Sequence, residues 1–595
     1  MIDADVLIIG AGISGLAAAQ ALVSKGMRVK IIEARDRIGG RIHTVDGFDH
    51  GAHWIHGTEG NPLTNLAHQH GARLYFVGGD SAYAGGWSRM HFPADQTVDK
   101  DKSLFIADAV MDAIDGARGK VAADASIAEV CDHIIATLGL GEREAAYARW
   151  HINLLARDDS AADPGQLSAY HWDEGQEVYG YGDSFCLDGF GALTTALAQN
   201  LDIELGCIVT EVRHGAEGVE LVCGARSFHG KHAIVTLPLG VLKAGHVRFD
   251  PPLPAVKTDA INRLGYGSLA KARLIFDAPF WPTGCYSFGL AGGSGDQPTT
   301  AITPYSFNGE AELVLIYGGP AAQRFEALAE DEACAAALSM LRAEFGSDVP
   351  APIGFTRTNW SNDPHALGCY SFIATGSHPR DCEILAQPVG KSLSFAGEAT
   401  SGTQWAFAHG AYVSGLREAA RISADASLLP ARNFTENRRW RAQMARASRF
   451  FNLQIAKLDG AEIDKRVELL LLSQTFAEIE RGELRLLATM FDERILATGD
   501  WLCRKGDVAD EVFLIATGSL DIIDERGGRT VATLRRGGLT GEYGLFHNAT
   551  RTASIRATGD CTVLSLDYQR FSRFLNAFPQ ASFALLRQTV SRFMD

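Results

Sequence analysis

The motif GAGISG, from Gly10 to Gly15, is the first stretch of the chain whose residue types and spacing indicate chemistry. An apolar run from Val6 to Ile9 precedes it and an Ala/Leu-rich run follows, which predicts a strand, a tight turn and a helix. Gly10 would permit the turn, Gly12 would let the backbone approach a pyrophosphate, and Gly15 would let the helix pack on the strand. The helix N-terminus would add amides and a positive dipole end. We therefore predict a dinucleotide site.

An acidic residue at the end of the next predicted strand supports this prediction. The apolar run from Val29 to Ile32 leads into Glu33, whose carboxylate is placed to accept hydrogen bonds from a ribose. The sequence GGR that follows resembles the extended ADP-binding signature of flavoproteins rather than that of nicotinamide dehydrogenases. The predicted cofactor contacts in this region are Gly10, Gly12, Gly15, Glu33, Arg35, Gly40 and Arg41.

A longer string identifies the family that the chain resembles. Asp49 to Gly57 reads DHGAHWIHG, which resembles the flavin-dependent amine oxidases and most closely their polyamine oxidase branch. The resemblance extends to about residue 425 and includes FAGEAT from Phe395 to Thr400. It implies FAD as the cofactor, with a helix from Gly410 onward directing its N-terminal amides to the isoalloxazine. The further cofactor contacts that it implies are Trp54, Val209, Trp360, Glu398 and Ala408.

The same resemblance implies a catalytic set. Lys271 lies in an otherwise apolar stretch, and periodicity alone favours a lysine at a strand edge that reaches solvent. The resemblance instead implies a lysine that holds a water beside the flavin nitrogen that accepts hydride. It also implies an aromatic cage of Tyr370 and Phe407, with core packing as the alternative for either ring. Trp405 is expected to narrow the pocket.

His56 is expected to bind or orient the substrate amine. An imidazole can hydrogen-bond a neutral nitrogen near neutral pH, and a structural role is the alternative. Cys369 lies in a GCY context that resembles the covalent flavin attachment of monoamine oxidases. Polyamine oxidases of the plant type share that context without the bond, so we expect non-covalent FAD and keep the covalent link as the alternative.

The resemblance implies oxidation of an amine C–N bond to an imine, with O2 reduced to hydrogen peroxide. Polyamines are the expected substrates. A monoamine or L-amino-acid oxidase is an alternative, and so is a redox-silent flavin scaffold that carries a nucleotide sensor. A histone demethylase is not expected, because no long helical insertion interrupts the predicted substrate domain.

Composition limits the partners. The formal net charge is −16 at pH 7 in 595 residues, which argues against nucleic acid and is compatible with a polycationic substrate. The ten cysteines form no CxxC pair, so neither a metal site nor a disulfide framework is indicated and a cytoplasmic, reducing compartment is expected. No run is long and apolar enough to span a bilayer, so no membrane partner is expected.

The chain is too long for one core. Residues 1–425 are predicted to form a doubly wound α/β FAD-binding (Rossmann-like) domain interleaved with an α+β substrate domain, whose helices include 107–121 and 127–138. Residues 426–470 are predicted as a helical linker. Residues 471–595 contain short strands with turn signals between them, which indicates a β-jelly roll.

A cassette in this last region resembles the cyclic-nucleotide-binding domain of bacterial regulators, kinase regulatory subunits and gated channels. Gly541 and Glu542 precede Arg551 and Thr552 at the spacing of a phosphate-binding cassette. The arginine offers a planar charged fork to a cyclic phosphate, and the glutamate can accept from the ribose 2′-hydroxyl. cAMP is the first expectation. cGMP remains an alternative ligand, because the hydroxyl of Thr552 can contact the amino group of guanine. The alternative is a decayed domain kept for oligomerisation.

Overall fold

The computed structural model describes residues 2–58, 60–78, 89–91, 100–117, 120–177, 179, 183–283, 286–290, 295–430, 460–477, 479, 481–524, 528–547, 550–578 and 581–587. Two compact units contain them. The first comprises Met1–Thr97, Ala122–Ala128 and Ile152–Arg441, and the second comprises Val98–Val121, Glu129–His151 and Ala442–Asp595. Among the described residues, no helix has both the length and the apolar character needed to cross a membrane.

The strands of the first unit are β1 (Ala4–Ile9), β2 (Val29–Ile32), β3 (Thr44–Val45), β4 (Phe48–Asp49), β5 (Trp54–His56), β6 (Leu74–Gly78), β7 (Arg89–His91), β8 (Asp183–Cys186), β9 (Asp202–Glu204), β10 (Glu211–Gly215), β11 (Gly218–Cys223), β12 (Arg226–Val235), β13 (Arg248–Asp250), β14 (Gly265–Tyr266), β15 (Leu269–Ile275), β16 (Ser287–Leu290), β17 (Thr300–Ile302), β18 (Glu312–Gly318), β19 (Gly354–Arg357), β20 (Ser371–Phe372) and β21 (Leu393–Phe395). Those of the second unit are β22 (Asp492–Leu496), β23 (Trp501–Cys503), β24 (Glu511–Thr517), β25 (Ser519–Asp524), β26 (Arg529–Arg535), β27 (Leu539–Thr540), β28 (Ser554–Ala557) and β29 (Cys561–Asp567).

The α-helices are α1 (Ile13–Ser24), α2 (Pro62–Gln69), α3 (Lys100–Ala117), α4 (Ile127–Leu138), α5 (Glu142–Asn153), α6 (Gly191–Leu197), α7 (Leu239–Ala244), α8 (Ala255–Arg263), α9 (Tyr305–Asn308), α10 (Pro320–Ala327), α11 (Glu330–Phe345), α12 (Pro379–Ala386), α13 (Ala408–Ser423), α14 (Gly460–Leu471), α15 (Arg481–Met490), α16 (Tyr543–His547) and α17 (Tyr568–Ala577). A π-helix spans Leu154–Asp159, and short 3-10 helices span Glu398–Thr400 and Ala426–Leu428.

The largest sheet of the first unit has β1 near its centre. β1 pairs in parallel with β2 and β12, β2 pairs in parallel with β9, and β21 joins β12. Ile8 belongs to one apolar cluster, while Leu7 and Ile9 belong to another. A strand covered on both faces must be apolar throughout, which explains the continuous apolar run before the glycines.

A second sheet of the first unit contains Lys271. Its order is β19-β15-β18-β17-β16-β7, and β15 lies between β18 and β19. The face of this sheet that carries Leu274 packs on α10 and α11. Leu274 and Phe325 of α10 belong to the same apolar cluster. This sheet is the predicted substrate domain interleaved with the parallel sheet. The apolar run from Ala233 to Leu242 would by itself indicate one continuous strand, but β12 ends at Val235 and α7 begins at Leu239. Pro238, at the N-cap of α7, favours a helix start and cannot donate to a ladder.

The second unit contains two four-stranded antiparallel sheets, ordered β22-β29-β24-β27 and β23-β28-β25-β26. Together they form the predicted jelly roll. The unit also contains α3 and most of α4 and α5, which the sequence analysis assigned to residues 1–425. The compact units therefore differ from the predicted division at these helices, because helical periodicity shows that a helix has an apolar face and does not show which core covers it.

The buried Lys257 on α8 yields a prediction for stability. Its ammonium donates to the carbonyl oxygen of Ile384 at 3.0 Å and to that of Leu385, and lies 4.1 Å from the ring centroid of Phe395. Burial lowers the pKa of Lys257 from 10.5 to about 7. Between these two values the unfolded chain binds the proton and the folded chain does not, so stability should rise with pH across that window.

We expect Lys257→Met to lose stability relative to the wild type as pH rises from about 7 to 10, with a slope approaching ~1.4 kcal/mol per pH unit. The reason is that the methionine removes a penalty that the wild type carries only below the pKa of the unfolded lysine. Calorimetric melting at several pH values measures the difference. Lys231→Met, at an exposed lysine of the same unit, is the control. A pH-independent difference for Lys257→Met would contradict this assignment.

Candidate functional site

The turn after β1 has the geometry of a phosphate cradle. Gly10 has φ of 106°, and a Cβ on Gly15 would lie 2.1 Å from the Gly10 carbonyl oxygen, so both positions require glycine. A Cβ on Gly12 would meet nothing nearer than the carbonyl oxygen of Gly39 at 4.0 Å. Gly12 is therefore glycine for a different reason, because the space in front of it is open and a side chain there would fill that space.

Glu33 is held at the same turn. Its Oε2 accepts from the amide of Ala11 at 2.6 Å and its Oε1 from the amide of Arg35 at 2.9 Å. The carboxylate is 5% exposed, and it stands directly after β2. These bonds fix the acid beside the open space at Gly12, where the ribose of a dinucleotide would need an acceptor.

Two further predicted cofactor residues, Arg35 and Trp360, lie near each other. Arg35 donates to Asp363 at 2.5 Å, and its Cζ lies 6.0 Å from the ring of Trp360. The indole N–H of Trp360 donates to the carbonyl oxygen of His50 at 2.8 Å. Trp360 thereby connects the strand-end arginine to the segment that contains Trp54 and His56.

Glu398 joins several segments of the first unit. Its carboxylate accepts from Arg41 at 3.0 Å, from the hydroxyl of Ser371 at 2.5 Å and from the amide of Ala406 at 3.0 Å. The 3-10 helix that it begins is followed by α13, which starts at Ala408. The sequence predicted this helix from Gly410 onward, two residues later. Val209 lies between β9 and β10 with its side chain buried.

Lys271 on β15 is buried at 3% exposure. Its ammonium donates to the carbonyl oxygen of Asp49 at 2.9 Å and to that of Gly51 at 2.7 Å. Burial lowers its pKa from 10.5 to about 8, although the negative charge of Asp49 acts to raise it. The strand-edge alternative therefore does not describe this residue, since its ammonium is directed inward and an ammonium has a third N–H to offer.

A continuous series of ring contacts connects Lys271 with three other predicted residues. Its Nζ lies 5.9 Å from the ring centroid of Trp54, the Trp54 and His56 rings are 6.0 Å apart, and the His56 and Phe407 rings are 5.4 Å apart. Phe407 stacks on His409 at 4.7 Å. Burial, helped by the charge of His56, lowers the pKa of His409 to about 3, so its ring is neutral.

Tyr370 is positioned by a π-helix that sequence reasoning did not identify. The Tyr370 hydroxyl donates to the backbone oxygen of Asp158 at 2.6 Å. The carboxylate of Asp158 accepts from the hydroxyls of Thr299 and Thr300. π-helices are uncommon and frequently occur at functional sites. The only signal in the sequence was the acidic pair Asp158-Asp159, which reads equally well as the polar end of a helix.

Both acids of that pair have perturbed pKa values. Burial raises the pKa of Asp158 to about 7, although the hydrogen bonds from the hydroxyls of Thr299 and Thr300 act to lower it. Burial and the charge of Asp158 raise the pKa of Asp159 to about 7, although the charge of His56 acts to lower it. The side chain of Asp159 is exposed, and it interacts electrostatically with His56. Asp183 also lies close to His56, with its Oδ1 3.3 Å from His56 Nδ1.

Trp405, which was predicted to narrow the pocket, is a buried residue of the first unit. Its side chain is 3% exposed and packs in the apolar cluster that contains Leu7, Ile9 and Phe395. Ala406, between Trp405 and Phe407, has a φ of 69°, and this turn of the backbone separates the surroundings of the two rings. Core packing is therefore the role that the surroundings of Trp405 support.

Cys369 is a protonated thiol in a closed environment. Its Sγ accepts from the amide of Leu269 at 3.1 Å and donates to the carbonyl oxygen of the same residue at 3.2 Å. Burial raises its pKa to about 12. A thiolate is the reactive form of cysteine, so this environment suppresses nucleophilic attack by Cys369.

One cluster in the described residues has metal-ligand types. The ligand atoms of His171, Glu174 and His378 lie within 4.8 Å of one another. Nδ1 of His378 accepts the amide N–H of Arg380 at 3.0 Å, so a neutral ring carries its proton on Nε2, the atom that faces Glu174. A metal on that atom would require the other tautomer and the loss of the helix cap. We therefore interpret the cluster as a hydrogen-bonded group.

In the second unit, the predicted nucleotide residues are arranged around Arg551. Its Nη1 donates to the backbone oxygen of Glu511 at 2.8 Å, and its Cζ lies 4.8 Å from the ring of Phe513. Nε of Arg551 is buried and has no hydrogen-bond partner among the described residues. A buried arginine donor of this kind normally has an acceptor, and a phosphate oxygen is a suitable one. Glu542 is buried and Thr552 is exposed.

Family models match the two regions of the chain that contain these residues. Residues 13–423 match the model described as flavin containing amine oxidoreductase, and residues 493–578 match the model described as cyclic nucleotide-binding domain. The first match covers more than half of the chain. The chain therefore belongs to the flavin-containing amine oxidoreductase family and has a C-terminal cyclic nucleotide-binding domain, as the sequence analysis predicted.

Curated relatives carry several names. The protein FLOWERING LOCUS D of Arabidopsis thaliana is 34% identical over 447 residues, which are 71% of this chain and 56% of that protein. Lysine-specific histone demethylase 1 homolog 3 of Oryza sativa subsp. indica is 35% identical over 461 residues, 72% of this chain and 55% of that protein. Polyamine oxidase 4 of Oryza sativa subsp. japonica is 32% identical over 448 residues, 70% of this chain and 88% of that protein. The chain spans little more than half the length of the first two.

Solved structures confirm the predicted fold class. Cyclohexylamine oxidase from Brevibacterium oxydans IH-35A has a TM-score of 0.58 at 24% identity, covering 71% of this chain and 100% of that one. Putrescine oxidase bound to putrescine has a TM-score of 0.57 at 22% identity, covering 71% of this chain and 99% of that one. At these identities the similarity shows the amine oxidase fold.

The residues of the first unit fit the flavin that the family implies. Gly12 leaves open space for a pyrophosphate, and Glu33 is fixed beside it as an acceptor for a ribose. The start of α13 at Ala408 supplies helix N-terminal amides, which suit the polar edge of a flavin. These features support FAD at this site.

We expect Gly12→Val to fold and to weaken FAD binding by roughly tenfold or more, because its side chain occupies the open space that the pyrophosphate needs. Flavin absorbance per protein and calorimetric titration of the FAD-free protein measure this. Gly215→Val is the matched control, because a Cβ there also meets no atom within 4 Å. Equal flavin content in both variants would contradict the assignment of the cradle.

Proposed function

We propose that this protein is an FAD-dependent oxidase of polyamines that forms hydrogen peroxide, and that a cyclic nucleotide bound to its C-terminal domain controls its turnover. The observation that carries the oxidase proposal is the continuous series of contacts from the buried Lys271 through Trp54 and His56 to Phe407. This series brings a buried cation, a histidine and an aromatic wall together beside the cofactor residues.

When bound, FAD supplies the two-electron oxidant, which accepts hydride from the carbon next to the amine nitrogen and returns the electrons to O2. Lys271 is proposed to present the remaining N–H of its ammonium to a water at the flavin edge. Because its pKa is about 8, it exchanges its proton near neutral pH more easily than an exposed lysine does. Tyr370 and Phe407 are proposed to flank the substrate amine and to exclude water from it.

The protonation of Cys369 supports non-covalent FAD. Its thiol is buried, its pKa is about 12, and both of its hydrogen bonds go to the backbone of Leu269. Flavin attachment through sulfur needs a thiolate, and the charges of Arg41 and Lys271 do not offset the burial enough to produce one here. Released flavin in the supernatant after acid precipitation is the outcome that fits this proposal.

The preference for polyamines rests on carboxylates near His56. Asp159 is accessible and interacts electrostatically with His56, and Asp183 lies 3.3 Å from that imidazole. A substrate with several ammonium groups can place one of them near these carboxylates while its reacting nitrogen is neutral at the flavin. A monoamine has no second cation to place there. The name of the rice relative, a polyamine oxidase, is consistent with this preference.

A methylated lysine side chain is the second candidate substrate. The observation that favours it is the set of relatives named lysine-specific histone demethylase homologues, which are 33–35% identical to this chain. Histone demethylation was not expected from the sequence, and the names of these relatives make it a candidate. Both substrate types need an aromatic cage, so Tyr370 and Phe407 do not separate them.

We expect peroxide formation with spermine or spermidine at a higher kcat/KM than with monoamines or with dimethyl-lysine peptides. Asp159→Asn should raise the polyamine KM by roughly tenfold, which is the loss of ~1.4 kcal/mol of attraction, and leave monoamine KM unchanged. Since Asp159 becomes an anion above pH 7, the ratio of variant KM to wild-type KM should grow as pH rises through about 7.

The matched control for this substitution is Asp202→Asn, an exposed aspartate at the start of β9. A preference for dimethyl-lysine peptides would replace the polyamine proposal with the second candidate. Equal effects of Asp159→Asn on the KM of monoamines and of polyamines would show that this carboxylate does not bind a second ammonium group of the substrate.

The nucleotide proposal has its own variant. We expect Arg551→Ala to abolish binding of cAMP and cGMP and to leave basal amine turnover intact, because the guanidinium supplies the charged fork for the cyclic phosphate. Calorimetry with both nucleotides measures binding. Arg535→Ala, at an exposed arginine of the same domain, is the control. No heat with either nucleotide on the wild type would refute nucleotide binding.

A further inference from the structure

Two side chains attach the helices α3 and α4 to the C-terminal domain inside the second unit. The ring of Phe105 on α3 lies 5.9 Å from that of Phe574 and 5.5 Å from that of Phe578. Arg485 on α15 donates to the backbone oxygens of Leu138 and of Thr137, the latter at 2.7 Å, which are at the C-terminal end of α4. We refer to α3, α4 and α5 together as the arm.

The attachment of Phe105 leads directly to the nucleotide cassette. Phe574 lies on α17, and Tyr568, the first residue of α17, donates its hydroxyl to the backbone oxygen of Gly541. The Gly541 backbone is also packed against Arg551, since a Cβ there would lie 2.9 Å from Arg551 Nη1. A ligand that draws Arg551 or the Gly541 backbone toward its phosphate therefore acts on the start of α17.

The other end of the arm leads to the proposed amine site through the chain itself. α5 ends at Asn153, and the π-helix begins at Leu154 without an intervening loop. The backbone of Asp158 in that π-helix accepts the hydroxyl of Tyr370. A π-helix forms i→i+5 hydrogen bonds in place of the i→i+4 bonds of α5, so the hydrogen-bonding pattern of the helix changes at this point. The chain therefore runs without a loop from α5 to the residue whose backbone oxygen accepts the hydrogen bond of Tyr370.

We propose that the arm is the element that couples nucleotide occupancy to amine oxidation, acting from Gly541 through α17 and Phe105 at one end and through α5 and the π-helix on Tyr370 at the other. The proposal rests on the nucleotide regulation proposed above and adds its route. Coupling needs an element whose position both ligands bias. Phe105 and Arg485 hold α3 and α4 to the nucleotide domain, Arg149 on α5 contacts Asp132 on α4 at 3.1 Å, and α5 continues along the chain into the π-helix.

The test uses the full-length FAD-loaded protein and two uncoupling variants, Arg485→Met and Phe105→Ala. In the wild type, saturating cAMP or cGMP should change kcat/KM for spermine by about fivefold or more. In both variants this effect should fall below about twofold, while calorimetry still detects nucleotide binding and basal turnover is kept. By reciprocity, spermine should shift nucleotide Kd in the wild type and fail to do so in the variants.

Controls separate uncoupling from damage. Phe105→Leu keeps an apolar side chain and should restore the nucleotide effect, and melting temperatures show whether Phe105→Ala is folded. Arg556→Met removes an arginine of the same domain that lies over Trp501, away from the arm, and should behave as the wild type. Hydrogen exchange of peptides covering 142–159 should change on nucleotide addition in the wild type and not in Arg485→Met.

The outcomes distinguish the proposed route through the arm from the proposed nucleotide regulation on which it rests. No nucleotide heat in the wild type, or heat without a change in turnover, overturns the proposed regulation itself. A wild-type response that persists in both Arg485→Met and Phe105→Ala overturns the arm as its route and leaves the regulation standing. Loss of the response with retained binding, and its return in Phe105→Leu, supports the arm.

Discussion

The burial of one ammonium group determines the arrangement of the oxidase unit. Removing a charged amine from water is unfavourable unless hydrogen bonds replace the lost hydration, and the carbonyl oxygens of Asp49 and Gly51 supply them for Lys271. These two bonds fix β15 of the second sheet to the segment that also carries Trp54 and His56. The lowered pKa of Lys271 is the electrostatic consequence of the same burial.

The features that sequence predicted well are the local ones. The glycine turn, Glu33 and the amine oxidase motifs depend on residues close in sequence, and their backbone requirements can be read from residue type, as at Gly10. Helix α4 was predicted with the bounds it has in the structure. Seven of the eight short strands from Asp492 to Asp567 that form the two C-terminal sheets were also predicted, with ends that differ by a few residues, and the two-residue strand β27 was missed.

Features that depend on distant residues were not predictable in the same way. Asp158 and Asp159 become significant only because a π-helix places them beside Tyr370 and His56, and no periodic pattern announces such a helix. Trp405 was assigned to the pocket from its motif, whereas the core beneath the sheet covers it. The arm was assigned to the oxidase by its position in the chain, although its apolar residues are buried in the other unit.

The shared core of the arm and the C-terminal domain has a consequence for how these two parts can be separated. Phe105 is 4% exposed because Phe574 and Phe578 cover it, and Arg485 satisfies carbonyls that would otherwise end α4 without partners. A chain cut after the oxidase region would expose that apolar surface to water and invite self-association. The nucleotide domain is therefore part of the core that buries the arm, and removing it from the chain would leave α3 and α4 without that cover.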